Sequence, residues 1–302
     1  MKALRQDESS NLLKQEVRDF WNEQSCDTHV ARAAKFSRQY FEEIEDYRYF
    51  DQPFIHSFAQ FSRYRGKSVL EVGFGAGTDF IQWLRAGALA SGIDLTTEAM
   101  DNLTQRIAAY NLPAPQSIQV ADAEKLPFDS NCFDLGYSFG VLHHSPDTEL
   151  ALQELVRVIR PGGELKVMLY NRHSVYAISQ WVKHAFLRRK PWKTLAWALW
   201  HHVESLGTKA YTREELRRLL AKLPFTEVHV QTFLTAADHL SASAFLPLNW
   251  LYRAWIRAVG THPQWRRADY QTPRKRPPGT RDSLQFSGHP AGWFHCISAR
   301  KK

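Results

Sequence analysis

The sequence predicts an α/β fold, a doubly wound, mostly parallel sheet covered by helices on both faces. Three observations predict it. From Lys67 onward, short apolar runs alternate with segments of helical periodicity. The first run, "SVLEVG", opens into a bend with Gly73, Gly75 and Gly77 spaced two apart. The next two runs each end in an acid, Asp94 and Asp122. In such sheets, polar groups at the carboxyl ends of strands line the ligand crevice.

The elements follow in order. Residues 1–65 read as an N-terminal helical cap, because Leu12, Leu13, Val17, Phe20 and Trp21 recur near helical spacing. A second, aromatic-rich segment, "ARAAKFSRQYFEEIEDYRYF", follows it. The core spans 66–238. In it, "TDFIQWLRAGA" reads as helix, "ASGIDL" as strand and "TTEAMDNLTQRIAAYN" as helix. Thr96 or Thr97 would cap that helix, and Asn111-Leu112-Pro113 would stop it. Then come the strand "SIQVADA", the turn "FDSNCFD", the strand "LGYSFG" and the helix "DTELALQELVRVI". Pro161-Gly162-Gly163 reads as a break before the strand "ELKVMLY". A Trp-rich helical insertion at 172–210 carries Trp181, Trp192, Trp197 and Trp200. "TREELRRLLAKLPFTEVHVQTF" restores helix and strand. Residues 239–302 read as a basic, aromatic insertion with an exposed loop, "TPRKRPPGTRDS", and a final strand, "GWFHCISARKK".

With 302 residues, 44% of them hydrophobic, the chain can bury a sizeable core. No apolar run reaches membrane-spanning length and the first residues lack an apolar signal core, so a cytoplasmic protein is expected. Cys26, Cys132 and Cys296 are scattered and match no metal-ligand spacing. No metal is expected, since the rings of His143-His144 and of His201-His202 should point apart as sequence neighbours. The net charge of +8 is uneven. Six Lys or Arg and no acid lie between Arg172 and His202, and eleven Lys or Arg face two acids from Arg253 to the end. Such surfaces suit nucleic acid, an anionic membrane or an acidic substrate, or are simply solvated.

The glycine bend carries most of the functional information. Without a Cβ, its backbone can take positive φ and approach a ligand closely. Asp94, 21 residues after Gly73, can accept hydrogen bonds from both hydroxyls of a ribose. Asp122 can accept from an exocyclic adenine amine, with the Ala123 amide meeting a ring nitrogen. The third glycine comes one position too early for a dinucleotide fingerprint, and no Gly-Lys-Ser/Thr phosphate loop is present. These features together describe a nucleoside site.

At this point the chain resembles the class I S-adenosylmethionine-dependent methyltransferases, and within them a methyltransferase type 11-like bacterial subgroup. "VLEVGFGAGTDF", "GIDL", "ADAEKLPF", "FDLGYSFGVLHHSPD" and "LVRVIRPGGELKVMLY" carry the resemblance over about residues 66–170. "YNRHSVYAISQW" and "ESLGTKAYT" carry the likeness to the subgroup. The resemblance implies a Rossmann-like, seven-stranded sheet and S-adenosyl-L-methionine as cofactor. It implies that Gly73, Gly75 and Gly77 lie beside the methionine half, and that Asp94, followed by Leu95, holds the ribose. Asp122 and Ala123 would meet adenine, with Ser138 and Phe139 near the sulfonium. Glu71 would meet the cofactor's amino group or nearby backbone.

For the chemistry, His143, His144, Tyr170 and His173 are candidate acid/base groups, each weighed against packing or capping. Tyr137, Tyr170 and Tyr176 can instead turn ring faces to the sulfonium. The favoured expectation is methyl transfer to a small-molecule acceptor in bacterial secondary metabolism. The alternative is intramolecular cyclisation of the cofactor to azetidine-2-carboxylate with release of methylthioadenosine. "YSFG" stands where amino-directed nucleic-acid methyltransferases carry Asn/Asp-Pro-Pro-aromatic, which argues against base methylation; RNA and noncatalytic binding rank lower. The oligomeric state stays open.

Overall fold

The computed structural model describes residues 2–244 and 284–302. Residues 245–283, with the predicted loop and most of the basic insertion, lie outside the described residues. The sheet has eight strands: β1 (Ser68–Val72), β2 (Leu89–Asp94), β3 (Ser117–Val120), β4 (Phe133–Phe139), β5 (Ile159–Tyr170), β6 (Phe225–Phe233), β7 (Leu284–Gly288) and β8 (Phe294–Lys301). Their order is β3-β2-β1-β4-β5-β8-β6-β7. The neighbours from β3 to β5 pair in parallel, as do β6 and β7, while β8 is antiparallel to both β5 and β6. Seven strands were expected. The eighth is β7, a five-residue edge strand whose half-exposed "LQFSG" carries no apolar run for periodicity to detect.

The Pro161-Gly162-Gly163 break is a second correction. Strand β5 runs through it, and only the register shifts: Phe133 pairs with Ile159, but Leu135 pairs with Glu164. The extra residues form a bulge at the start of β5, ahead of Glu164 where its pairing with β8 begins, so the proline interrupts no ladder there.

Alternation along the strands builds two cores. Val69, Tyr137, Phe139, Met168 and Tyr170 pack on one face with α3 (Ile55–Ala59), α4 (Phe80–Ala86) and α5 (Thr97–Ala109). Leu70, Val72, Val167 and Leu169 pack on the other with α6 (Thr148–Val158) and α9 (Arg213–Ala221). Thr96 caps α5, its side chain accepting from the Ala99 amide.

The N-terminal cap comprises α1 (Lys2–Glu23), a short 3-10 turn, α2 (Arg38–Asp51) and α3. Arg106 of α5 is fully buried and braces the cap to the core. Its guanidinium donates to the Ala76 carbonyl (2.9 Å), Thr78 Oγ1 (2.7 Å) and the Phe41 carbonyl (3.0 Å), and pairs with Glu45 (3.2 Å). The insertion after β5 holds α7 (Val175–Trp181), a π-turn (Val182–Phe186) and α8 (Leu195–His202); α10 (Ala236–Ala244) follows β6.

Candidate functional site

A cavity of about 400 Å³ opens at the carboxyl ends of β1, β2, β4 and β5, roofed by α1 and α2 and walled by α7 and α10. Its two ends are built differently.

One end is backbone. The glycine bend leaves β1 with positive φ at Gly73 (78°), Gly75 (50°) and Gly77 (75°). A Cβ on Gly73 would lie 2.2 Å from Val141 Cγ2, and one on Gly77 would lie 2.8 Å from Leu103 Cδ1. Both are glycine because the neighbouring element packs against bare backbone. Gly75 is different: a Cβ there would meet only Cys26, at 3.8 Å, and the residue lines the cavity. Asp94 holds this shape. Its Oδ2 accepts from the Gly75 amide (3.0 Å), and its Oδ1 accepts from the Thr96 amide (3.0 Å) and hydroxyl (2.8 Å). Burial pushes the Asp94 carboxyl up, against the hydrogen bonds that favour its charged form.

Further along, Asp122, Ala123 and Leu95 line the cavity. Asp122 Oδ1 accepts from the Glu124 amide (2.9 Å). Its Oδ2 accepts from Lys14 Nζ of α1 (2.7 Å), which also reaches Glu124 (2.5 Å). Ionic anchoring of α1 on the third strand end was not foreseen from the sequence.

Beneath the bend, Glu71 lines the cavity wall, and its Oε2 accepts from Trp83 Nε1 (2.7 Å). Burial, then the charge of Asp79, push the Glu71 carboxyl up, which favours the protonated form. Asp79 goes the other way. Burial alone would raise it, but the Arg48 guanidinium overrides this with a two-pronged contact (3.1 and 2.9 Å). Tyr137 and Tyr49 hydroxyls also donate to Asp79 (2.8 and 3.1 Å). Arg48, absent from the sequence-based candidates, lines the cavity with its guanidinium over the Phe139 ring (5.3 Å). Nothing near it in the sequence marks it; the fold brings it 31 residues forward to Asp79.

The other end is made of side chains. His144, Tyr170, Tyr176, Glu204 and Trp293 line it. The Tyr170 hydroxyl donates to Glu204 (2.9 and 3.0 Å), and its ring lies stacked on Trp293 (4.1 Å) and against His143 (3.8 Å). Burial, then the Glu204 charge, hold the phenol well above its usual range, so Tyr170 is a proton donor rather than a base. Tyr176 is pushed up to about 12, chiefly by burial.

His144 has a defined orientation. Its Nδ1 lies within hydrogen-bond distance of the Ser205 hydroxyl (2.9 Å) and of the Thr208 hydroxyl (3.1 Å), which itself donates to the Ser205 carbonyl (2.8 Å). These contacts hold the ring with Nε2 toward Glu204 Oε2, 3.1 Å away. The pair makes no aligned hydrogen bond.

Five candidates fall outside the cavity lining, His173 and the buried Tyr137 among them. The Ser138 hydroxyl is buried and donates to the Val72 carbonyl (2.9 Å). Gly77 packs on α5. His143 is fully buried, with neither ring nitrogen partnered, and burial followed by the neighbouring His144 and Lys209 keep it neutral. The expectation that the His143 and His144 rings point apart also fails. They sit on a 3-10 turn (Leu142–His144) with ring centroids 4.4 Å apart, and with Glu204 bring nitrogen and carboxylate atoms within 4.8 Å of one another. Glu204 was missed. Its signal is positional: it is the first acid after the acid-free run from Arg172.

No helix among the described residues is long and apolar enough to cross a membrane. Comparison with known proteins adds a family. Residues 70–167 match a family model described as a methyltransferase domain. Over 104 residues the chain is 32% identical to the methyltransferase GfsG of Streptomyces halstedii, covering 34% of this chain and 37% of that protein. It is also 32% identical over 118 residues to a malonyl-[acyl-carrier protein] O-methyltransferase of Erwinia billingiae, covering 39% and 45%. The chain thus spans less than half the length of these curated relatives. Among solved structures, the geranyl diphosphate C-methyltransferase of Streptomyces coelicolor superposes with a TM-score of 0.54 at 13% identity, covering 96% of this chain and 97% of that one. At that identity the likeness concerns the fold. The matched span holds the glycine bend and both strand-end acids, and over that span the chain is similar to class I S-adenosylmethionine-dependent methyltransferase domains.

Proposed function

We propose that the protein binds S-adenosylmethionine at the glycine-bend end of the cavity and transfers its methyl group to a small-molecule acceptor held at the Glu204 end. The observation that carries this reading is the union, in one cavity, of a backbone-built nucleoside site and a separate acid-bearing wall. The O-methyltransferase among the curated relatives supports it.

The chain's residues fit the cofactor. Gly75 lets backbone approach a ligand, and Asp94 faces the cavity with lone pairs left for ribose hydroxyls. Asp122 and the Ala123 backbone stand where adenine would end. When bound, the sulfonium supplies an activated methyl group for in-line displacement. The protein's work is then positioning, water exclusion and proton handling. Arg48 is held between Asp79 and Asp27 (3.3 Å), so it fixes α2 over the cavity rather than offering a free charge, and its guanidinium lies over the Phe139 ring. Glu204 accepts the acceptor's proton, with Tyr170 donating to the carboxylate and His144 Nε2 beside it. Bacterial secondary metabolism is the proposed setting.

Asp94→Ala is expected to weaken cofactor binding by about 2–4 kcal/mol, through lost charge-assisted contacts and a loosened bend. An unchanged dissociation constant in calorimetry would remove the site assignment. The reaction is tested by mass spectrometry of protein incubated with S-adenosylmethionine alone and then with small-molecule extract. S-adenosylhomocysteine formed only with extract supports transfer. Methylthioadenosine and a cyclised amino acid formed without extract would establish the intramolecular reaction instead.

A further inference from the structure

The turn between α7 and α8 has no role in the cavity, yet among the described residues it joins exposed apolar side chains with clustered cations. Phe186, Leu187 and Trp192 are 56%, 70% and 72% exposed, three large apolar side chains within seven residues. Lys183, Arg188, Arg189 and Lys190 are exposed among them, and Lys193 lies beside them over Trp197 (5.0 Å). Among the described residues none of these five cations forms an ion pair, and no acid lies between Arg172 and His202. A solvated loop has no reason to expose Phe, Leu and Trp, and an ordinary packing surface has no reason to gather unpaired cations.

The turn is also held in shape. The Leu187 amide donates to the Val182 carbonyl (2.9 Å) and the Lys190 amide to the Ala185 carbonyl (2.8 Å), with Ala185 buried as the anchor. Trp181 Nε1 donates to the Lys193 carbonyl (2.7 Å) and closes the base. Arg189 takes positive φ (56°) at the tip. Read as a helix, this segment mixes basic and apolar residues around its circumference. Built as a π-turn followed by a tight turn, it places both kinds on one protrusion, so segregation by helical face is not required.

We propose that residues 182–193 form a docking tip for an anionic phospholipid surface, with Phe186, Leu187 and Trp192 entering the headgroup layer and the cations meeting lipid phosphates. Interfacial anchoring joins buried aromatic and aliphatic area with electrostatic attraction. An RNA would engage the cations and could stack on Trp192, but would leave Phe186 and Leu187 in water. The bilayer uses every residue of the set. The tip follows directly on α7, which carries Tyr176 into the cavity wall, so a docked chain holds that wall near the membrane. The surface binding stands apart from the reaction assigned to the cavity.

The test is co-sedimentation of the full chain with vesicles of equimolar phosphatidylglycerol and phosphatidylcholine, against pure phosphatidylcholine. Binding is expected to the anionic vesicles and to weaken as NaCl rises from 0.1 to 0.5 M. Since basic residues occur elsewhere in the chain, two variants decide the matter. Arg188→Glu/Arg189→Glu/Lys190→Glu and, separately, Phe186→Ser/Leu187→Ser/Trp192→Ser should each lower partitioning about tenfold or more. Unchanged melting temperature and cofactor affinity would show both variants folded. Partitioning equal to wild type in either variant overturns the proposal. So does failure of the wild type to bind vesicles, including the case where it binds a mixed-sequence RNA through the same cations.

Discussion

The two ends of the cavity are made from different material. The glycine-bend end draws on β1, β2 and the segment after β3, all within residues 68–124, and what it presents is largely backbone fixed by local turns. The Glu204 end joins His144, Tyr170, Glu204 and Trp293 from four distant segments and presents side chains fixed by one another. The first end can therefore fail by a single added methyl group. The second can lose its chemistry without losing its shape.

The two largest expected effects test the two halves of that contrast, beginning with the first. Gly73→Ala puts a Cβ 2.2 Å from Val141 at positive φ, a combined cost of about 2–4 kcal/mol. Gly75→Ala meets open space and bears only the φ penalty, about 1–2 kcal/mol. Calorimetry should find cofactor affinity lower in Gly73→Ala than in Gly75→Ala, with Val141→Ala partly rescuing the former. If the two substitutions are equally harmful, the bend is not shaped by that contact.

Next comes the side-chain end. Glu204→Gln keeps the acceptor for Tyr170 and removes the base, so turnover should fall about 10²–10⁴-fold while cofactor affinity holds. Tyr170→Phe should cost less, because it removes only the donor that supports the carboxylate. A parallel loss of cofactor binding in Glu204→Gln would show the two ends to be one unit.

A smaller effect concerns pH. His143 and His295 are buried neutral, His143 well below its usual range and His295 down at about 3, chiefly through burial. The unfolded chain protonates its histidines below about pH 6.5, whereas these two stay neutral in the fold. Stability from them is therefore full above that pH and drains as pH falls, by about 1.4 kcal/mol per pH unit for each residue. Melting temperatures measured from pH 7 to 4.5 should fall less steeply in His143→Phe than in wild type. Parallel curves would mean that His143 titrates in the fold. The smallest effect is at Lys14→Met, which frees Asp122 from a part-buried ion pair and should shift cofactor affinity by no more than about 1 kcal/mol.

This contrast also explains what could be read from the sequence. Gly73, Gly75, Asp94 and Asp122 sit at strand ends that periodicity locates, so residue type and spacing suffice. Glu204, Arg48 and Lys14 act only because helices and insertions return them to the cavity, and nothing within a few residues of each marks the contact. Strand β7 lacks an apolar run, and Pro161-Gly162-Gly163 suggested an ending because the paired strand that accommodates its bulge is invisible locally. The His143-His144 pair misled for a related reason: the divergence of neighbouring side chains belongs to regular strands and helices, and this pair occupies a 3-10 turn.

The contact of Lys14 with Asp122 and Glu124 has a kinetic meaning. It makes α1 part of the wall beside Asp122, so release of the nucleoside proposed to bind there is expected to depend on that helix. Occupancy time then becomes a property of α1 as much as of the glycine bend. On the proposed reading, the rate of resetting between cycles can be altered from residue 14 while the groups assigned to the reaction, at 170 and 204, stay untouched.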